Sequence, residues 1–227
     1  MITSRLFVLG GLLVAAAVSL TGCGTTAALE KVQGLEKDGR YADIKAQVVP
    51  DACDKAGPDD AKACSRIFAI RAHACLELVR AETSEGAACP PTALEKTSGH
   101  LMCAVAGYEH ATTLDPQLSA NEVLTENQAR SLYCASRLNS WPKRQEMATQ
   151  AVSKLAGLGA DPKRALLAGS AALSIAQDDQ ASAADRCAAA NKAIQLTSAS
   201  GVVSSDASSP VYKALISTHN VARQVAR

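Results

Sequence analysis

The sequence predicts an all-α protein, an antiparallel helix-hairpin solenoid of about eight to nine helices that is held by disulfides. Three observations lead to this prediction. The 227 residues include only two Phe, one Trp and four Tyr, and β-branched runs are scarce, so a β-sandwich would have little to fill its core. Alanine dominates instead, which favours closely packed helices. Capping boxes and proline starts then divide the chain into helices with no strand between them.

The first three helices follow from apolar spacing and stop signals. Residues 29–35 predict a first helix that stops at Asp38-Gly39, and residues 41–48 predict a second that forms a hairpin with it. Pro58 opens a long third helix through about Thr83, and its wide apolar surface places it in the middle of the fold. The polar stripe of this helix consists of Lys62, Arg66, His73, Glu77 and Arg80.

The remaining helices begin at start signals of two kinds. Capping boxes, in which two side chains satisfy free backbone N–H groups, stand at 92–95 and 119–122. A proline in the first turn marks three further helices, and the eighth follows a stop at 177–179. On these signals we expect helices from 92 to about 114, 119 to about 139, 142 to 157, 161 to about 177, 179 to about 196, and from Pro210 onward.

The amino-terminal segment has the parts of a secretory leader. Residues 1–5 form a short n-region with one positive charge, and residues 6–20 supply roughly 15 apolar or small residues, too few for a comfortable membrane span. Leu20-Thr21-Gly22-Cys23 follows, and this order resembles the lipobox of bacterial lipoproteins. The resemblance implies a lipoprotein signal peptide over 1–22 and a lipidated N-terminus and short tether over 23–26. Residues 27–227 are then expected to form a single α-helical repeat domain, on the helix signals above.

Lipidation at Cys23 would determine where the protein works. Gly24, rather than Asp, follows the cysteine, and by the habits of that family this favours transport to the outer membrane of a two-membraned bacterium. Two or three acyl chains would hold the protein essentially for good. We therefore expect a lipid-anchored protein on the periplasmic face of the outer membrane.

The charge balance excludes one class of partner. The chain has 23 Lys and Arg against 22 Asp and Glu. Arg5 is the only charged residue of the leader, so the mature chain would carry equal numbers of each sign. Nucleic acid binding calls for a basic excess on one face, and we expect no nucleic acid partner.

Seven of the eight cysteines remain once Cys23 carries a lipid. In an oxidising periplasm they indicate disulfides, and an odd number leaves one thiol over. Cys53 and Cys64 flank a turn within 11 positions, which suits a local bridge. Cys75 and Cys103 each lie roughly 14 residues from the turn near residue 89, so antiparallel helices bring them level.

The third bridge depends on that second pairing. Cys103 also lies almost level with Cys134 across the next turn, which makes Cys103–Cys134 the competing choice. If Cys103 pairs with Cys75, then Cys89 is left with Cys134. Cys187 is then the free thiol.

A zinc site is the alternative use of these cysteines. His100 and Cys103 share a helix face, and Cys75 could lie opposite with His73 nearby, which gives N and S ligands that zinc accepts. His73 and Cys75, however, are two positions apart on a helix and point about 200° from each other. We expect no metal and no cofactor.

No catalytic constellation stands out in the sequence. The motifs of serine hydrolases, zinc proteases and phosphate loops are missing, and there is no C-x-x-C. The paired acids Asp59-Asp60 and Asp178-Asp179 are expected to cap helices. The histidines, each on a predicted amphipathic helix, are expected at the surface: His73, His100, His110 and His219.

The run AVAGYEHATTLDP over 104–116 resembles the second helix of a tetratricopeptide repeat. In that family small residues let two helices approach, an aromatic such as Tyr108 fills the wedge between hairpins, and proline ends the unit. Residues 39–44 resemble the turn inside such a repeat, and 192–196 resemble the close of another. The chain departs from the family because its second helices end roughly 40 residues apart instead of about 34, and the first-helix signature is missing.

The resemblance implies a stack whose groove binds an extended segment or a helix of another protein. We expect a protein-binding scaffold or assembly factor for a cell-envelope complex, without enzymatic activity. Its partners would be envelope proteins, and it would meet the membrane through the lipid on Cys23. The alternative is a lipoprotein enzyme or small-ligand binder that uses a cleft between helices.

Overall fold

The computed structural model describes residues 21–83, 89–90, 95–159, 161–199 and 208–227. Within these ranges the chain forms nine α-helices, two 3-10 turns and no strand. The helices are α1 Thr21–Lys37, α2 Tyr41–Ala46, α3 Pro58–Arg80, α4 Ser98–Leu114, α5 Glu122–Ser136, α6 Lys143–Ala156, α7 Pro162–Ala176, α8 Ala183–Ala199 and α9 Pro210–Val225. None of them combines the length and the apolar character that a membrane span requires.

The helices form two layers. The odd layer, which comprises α1, α3, α5, α7 and α9, is continuous because each of its helices packs against the next odd helix. The even layer comprises α2, α4, α6 and α8, and each of these packs on the odd helices before and after it. Among the described residues, successive even helices bring no Cα atoms within 8 Å of each other. This is the packing of a helix-hairpin solenoid, as predicted.

Several helix ends fall where the sequence placed them. Gly39 adopts φ 67°, the left-handed conformation that ends α1 at low cost. Asp161 caps α7 by accepting hydrogen bonds from the backbone N–H groups of Lys163 and Arg164. Pro210 opens α9 behind the capping side chain of Ser209. These signals act within about one turn of the helix end, where they satisfy backbone groups that have no partner inside the helix.

Several predicted helix starts are wrong: those of α4 and α5, that of α1, and that of α8, which begins at Ala183 instead of near 179. α4 begins at Ser98, since residues 95–97 form a turn, while Thr92 lies outside the described residues. α5 is capped by Asn121, whose side chain accepts from the N–H of Leu124 at 3.0 Å, and not by Ser119. Residues 116–120 form a 3-10 turn that occupies Ser119. Asn and Ser are about equally good N-cap residues, and Asn121 is the one that directly precedes α5.

The segment predicted as a short tether is helical. α1 begins at Thr21, so the backbone of residues 23–26 belongs to it, six residues before the predicted start at 27. Thr25 is buried, and its hydroxyl donates a 2.7 Å hydrogen bond to Asp60 on α3. Residues 1–20 of the predicted signal peptide, like the side chain of Cys23, lie outside the described part of the chain.

The apolar core formed by the described residues consists of three clusters. The amino-terminal cluster joins α1 to α3 through Val32, Cys53, Cys64 and Ile67. The middle cluster surrounds Tyr108 and joins α3, α4 and α5: Ala72, Cys75, Leu76, Ala104, Tyr108 and Leu124. The main core extends through α5 to α9 and reaches the ends of α3 and α4, and its residues are mostly alanine and leucine.

Three disulfides connect these parts. They are Cys53–Cys64, Cys75–Cys103 and Cys89–Cys134, the pairing that the spacing predicted, and the competing Cys103–Cys134 bridge is not formed. Cys187 on α8 is free and exposed. The first two bridges lie in the two smaller clusters, and the third fixes the segment after α3 to α5.

Candidate functional site

A row of polar side chains crosses the odd layer, and we call it the polar row. It begins on α1, crosses the polar stripe of α3 and continues onto α5 and α7. Its members are Glu36, His73, Glu77, Arg80, Asn127, Glu126, Arg164 and Glu122. Because these residues come from four helices, the row exists only in the assembled stack.

The first part of the row is centred on His73. Its two ring nitrogens lie 2.9 Å from a carboxylate oxygen of Glu36 and 3.1 Å from one of Glu77. Tyr41 places its ring edge-on to the imidazole, with centroids 5.9 Å apart. These contacts tie α1 and α2 to α3 and hold the imidazole at a partly exposed position.

Arg80 carries the row from α3 to α5. Its guanidinium pairs with Glu77 on its own helix and donates a 2.5 Å hydrogen bond to the side-chain oxygen of Asn127. The Tyr108 hydroxyl approaches this group from the middle cluster, where burial raises the pKa of the phenol. It makes no hydrogen bond of good geometry with any described residue.

Arg164 continues the row from α7 back to α5. Its Nε lies 2.9 Å from Glu126 and its Nη2 lies 3.0 Å from Glu122. Hydrogen bonds to Glu126 and Glu122 raise the pKa of this guanidinium. The Glu122 side chain is 59% exposed, so the row reaches solvent at this end.

The exposed part of the stripe on α3 offers further charge. Lys62 and Arg66 are exposed and make no ion pair with a described residue. Arg66 and His73 are seven positions apart, about two helical turns, so they share a face of α3. The arrangement can offer both hydrogen-bond donors and acceptors to a polypeptide, and it contains no nucleophile paired with a base.

The four histidines lie apart from one another. The Nδ1 atom of His100 on α4 lies 2.9 Å from the Nζ atom of Lys45 on α2. Burial is the main cause that lowers the pKa of His100, and the positive charge of Lys45 is the second. His110 bonds the carbonyl of residue 106 and lies against the ring of Phe68, and His219 contacts Thr197. All four make protein contacts at the surface or partly buried.

A disulfide uses both cysteines of the zinc alternative. Cys75 and Cys103 are bonded to each other, so neither offers a thiolate to a metal. His73 and His100 have different partners on different helices. In the part of the chain that is described, no group of three His, Cys, Asp or Glu side chains is arranged to hold a metal ion.

The two acidic pairs behave differently from each other. Asp59 and Asp60 stand in the first turn of α3, where their charge complements the positive helix end, but Gly57 is the N-cap residue and neither side chain caps the helix. Asp178, predicted to cap a helix, is instead buried, and it accepts a 2.9 Å hydrogen bond from Arg144 at the start of α6. The turn at 178–181 separates it from α8, whose first turn is capped by Ser182.

Sequence reasoning missed a groove between α4 and α6. It has a volume of about 400 Å³, and α5 forms its floor. Met102 and Glu109 lie on one side, and Lys143 and Lys154 lie on the other. Burial lowers the pKa of Lys154. α4 and α6 do not pack directly against each other, and the space between them is the groove. Such a space depends on how distant helices are arranged, so no local sequence pattern reveals it.

The predicted anchor lies at one end of the stack. Cys23 is in the first turn of α1, two positions before Thr25, which fixes this turn to α3.

The chain matches no protein-family model, no curated protein and no solved structure.

Proposed function

We propose that this chain is an outer-membrane lipoprotein, anchored by a lipid on Cys23, whose helical stack binds an envelope protein as a scaffold or assembly factor. The polar row supports the proposal most. It joins side chains of four helices on the odd layer, and that layer corresponds to the first helices of the hairpins, which line the binding groove in tetratricopeptide proteins.

The anchor rests on the order Leu20 to Cys23 behind a short apolar segment. Because α1 begins before Cys23 and is fixed to α3 by Thr25, little free chain would separate the lipid from the stack. The stack would therefore lie close to the membrane surface. Nearly balanced charge gives it no general attraction to an anionic bilayer.

On the proposed binding face, exposed charged side chains around the more buried ion pairs would contact the partner. Within the row, the bonds of His73 and Arg164 occupy their partners and fix the helices relative to one another. Lys62, Arg66 and Glu122 remain accessible at its margins. Charged groups at the rim of an interface contribute mainly to selectivity and to the rate of association.

The anchor is tested by membrane fractionation. Cys23→Ser should leave the protein unprocessed or soluble in the periplasm, whereas the parent should sediment with the outer membrane. A Cys23→Ser protein that matures normally and still sediments with the outer membrane would contradict the anchor.

The face is tested by charge reversal. Lys62→Glu with Arg66→Glu should abolish recovery of a stoichiometric partner from solubilised envelope. The matched control is Arg186→Glu with Lys192→Glu, two exposed basic residues on α8 of the even layer, and it should retain the partner. Equal retention by both doubly substituted proteins, with unchanged helical circular dichroism, would remove the odd layer as the binding face.

The second candidate is a small-ligand binder, favoured by the groove of about 400 Å³ between α4 and α6. This volume lies within the range of small-molecule sites. Met102→Glu would place a charge at the groove, since this side chain is 43% exposed. Loss of a copurifying small molecule in this variant, with the protein partner unaffected, would favour this candidate.

A further inference from the structure

Another pocket lies at the amino-terminal end of the stack, between α1, α2 and α3. It has a volume of about 370 Å³. Three buried aliphatic side chains, one from each helix, line it: Val32, Ile44 and Ile67. The loop after α2 contributes its rim. The pocket is separate from the polar row and from the groove between α4 and α6.

The rim carries an exposed aliphatic side chain. Val48 was predicted on the apolar side of the second helix, but α2 ends at Ala46 and leaves Val48 87% exposed beside the pocket. Single exposed apolar residues are common. This one, however, continues the apolar lining of Val49 and Ile44 outward, so an aliphatic chain in the pocket would cover it.

The charged residues of the pocket all have one sign. Lys31 on α1 and Arg71 on α3 line it, and none of its lining residues is acidic. Neither cation makes an ion pair with a described residue. Arg71 is partly buried, so an anionic group bound beside it would interact more strongly than at a fully exposed arginine. Asp43 on α2 does not line the pocket, and its carboxylate is bound to Arg40 at 2.7 Å.

We propose that this pocket binds a single-chain amphiphile with an anionic head, of which a long-chain fatty acid is the simplest form. The aliphatic tail would lie over the buried side chains of Val32, Ile44 and Ile67 and contact the more accessible Ala28, Val49 and Val48. The carboxylate would accept hydrogen bonds from Arg71 and Lys31, a charge-assisted interaction that Arg makes with good geometry. The same chemistry fits a lysophospholipid with a phosphate head.

The experiment is photolabelling of the full chain in nanodiscs of a zwitterionic lipid. The probe is palmitic acid with a diazirine in its tail. After irradiation, mass spectrometry should find the label in segments that contain residues 44–49 or 67–71. The corresponding fatty alcohol, which has the same tail and no charge, should label these segments about tenfold less, since a hydrogen bond to a charged group is lost.

Two variants test the head and the rim separately. Arg71→Gln should lower labelling by the acid about tenfold. Val48→Glu adds a carboxylate at a side chain that is already exposed, so the fold should persist while like charge repels the ligand. The matched controls lie away from the pocket: Val123→Glu, at another exposed valine, and Arg186→Gln, at another arginine, should leave labelling unchanged.

The outcomes distinguish the source of the head group. Labelling by palmitic acid identifies a carboxylate ligand, and labelling only by the matching lysophosphatidic acid probe identifies a phosphate head. Both support an anionic amphiphile site. Equal labelling by acid and alcohol would overturn the proposal. So would the absence of label from both segments with either anionic probe, or labelling that neither Arg71→Gln nor Val48→Glu reduces while circular dichroism stays unchanged.

Discussion

The two halves of the stack, α1–α4 and α5–α9, use the same antiparallel unit but are held together differently. Most buried apolar residues of the first half lie in two small clusters, each with a disulfide, Cys53–Cys64 in one and Cys75–Cys103 in the other, while Val79 and Leu101 belong to the main core. In the second half one core runs through five helices, and no disulfide joins any two of α5–α9. Where a cluster is small, apolar burial contributes less, and a covalent link compensates.

The difference also appears in the polar contacts. The histidine at the centre of the polar row and its partners Glu36 and Glu77 lie in the first half. In the second half the helices meet mainly through alanine, as at Ala171, Ala190 and Ala222. Small side chains let helices approach closely, so close packing there takes the place of the disulfides, beside the ion pairs made by Arg164 and Arg144.

The largest effect is expected at the centre of the middle cluster. Tyr108 is 1% exposed, and Tyr108→Ala should destabilise the protein by about 3–5 kcal/mol because it leaves a cavity the size of a ring. Urea unfolding measures this loss. Tyr108→Phe is the matched control, since it keeps the ring and removes a hydroxyl that makes no good hydrogen bond. Near-parent stability of Tyr108→Ala would show that the middle cluster is not held by this ring.

Removal of single bridges should reveal how far the first half relies on them. Replacing both cysteines of Cys75–Cys103 by alanine should cost about 3–4 kcal/mol, and Cys53–Cys64, with its shorter loop, somewhat less. Alkylation of the unreduced parent should modify Cys187 alone among the cysteines from 53 onward. Mass spectrometry of the alkylated parent checks the pairing, and urea unfolding of the two variants measures the loss of stability. Unchanged stability without Cys75–Cys103 would refute the proposed role of the bridges.

Two glycines, one in each half, allow the closeness of helix contacts in the two halves to be compared. A Cβ at Gly107 would lie 2.9 Å from the Cβ of Ala72 and 3.1 Å from the carbonyl of Phe68, neither of which can turn away. A Cβ at Gly169 would meet one close atom, a side-chain methyl group of the buried Thr197 at 2.7 Å, whereas two of the three atoms near Gly107 belong to the backbone. Gly107→Ala should therefore cost about 1–3 kcal/mol, and Gly169→Ala less.

Gly99→Ala is the control for this pair, since nothing lies within 4 Å of its added Cβ. It should be neutral or slightly stabilising, because alanine favours helix. Thermal unfolding of the three variants gives the order. A greater loss at Gly169 than at Gly107 would show that the second half packs more rigidly than the first.

The smallest effect concerns pH. Burial and the charge of Lys45 hold the pKa of His100 below its usual 6.5. As pH falls below this value, the unfolded chain takes up the proton before the folded chain does, so the contribution of His100 to stability is lost. His100→Gln should flatten the decline in unfolding free energy between about pH 8 and about pH 5. An identical pH profile in the variant would exclude this contribution.

The sequence predicted those features that depend on neighbours along the chain. Asp161-Pro162 and Pro210 begin helices because caps and prolines act within one turn. The disulfide pairing followed from counting residues along antiparallel helices. The polar stripe of α3 was visible, but its partners Glu36 and Asn127 were not, since they depend on which helices meet.

The errors have the same origin. Asp178 looks like a helix cap in sequence, yet tertiary packing buries it against Arg144 from another helix. The pocket between α1, α2 and α3 needs α2 to end early at Ala46, which the apolar spacing through Val48 did not predict. Contacts between distant segments decide both features, and a single sequence carries no direct record of them.

The most direct test of the proposed scaffold is photocrosslinking in cells from one exposed arginine on each layer. A photoactivatable phenylalanine analogue would replace Arg66 on α3 or Arg186 on α8, both exposed. We expect a discrete protein adduct in the outer-membrane fraction from position 66, lost in the Cys23→Ser background, and none from position 186. Adducts of equal yield from both positions, or an adduct only from position 186, would contradict binding through the odd layer.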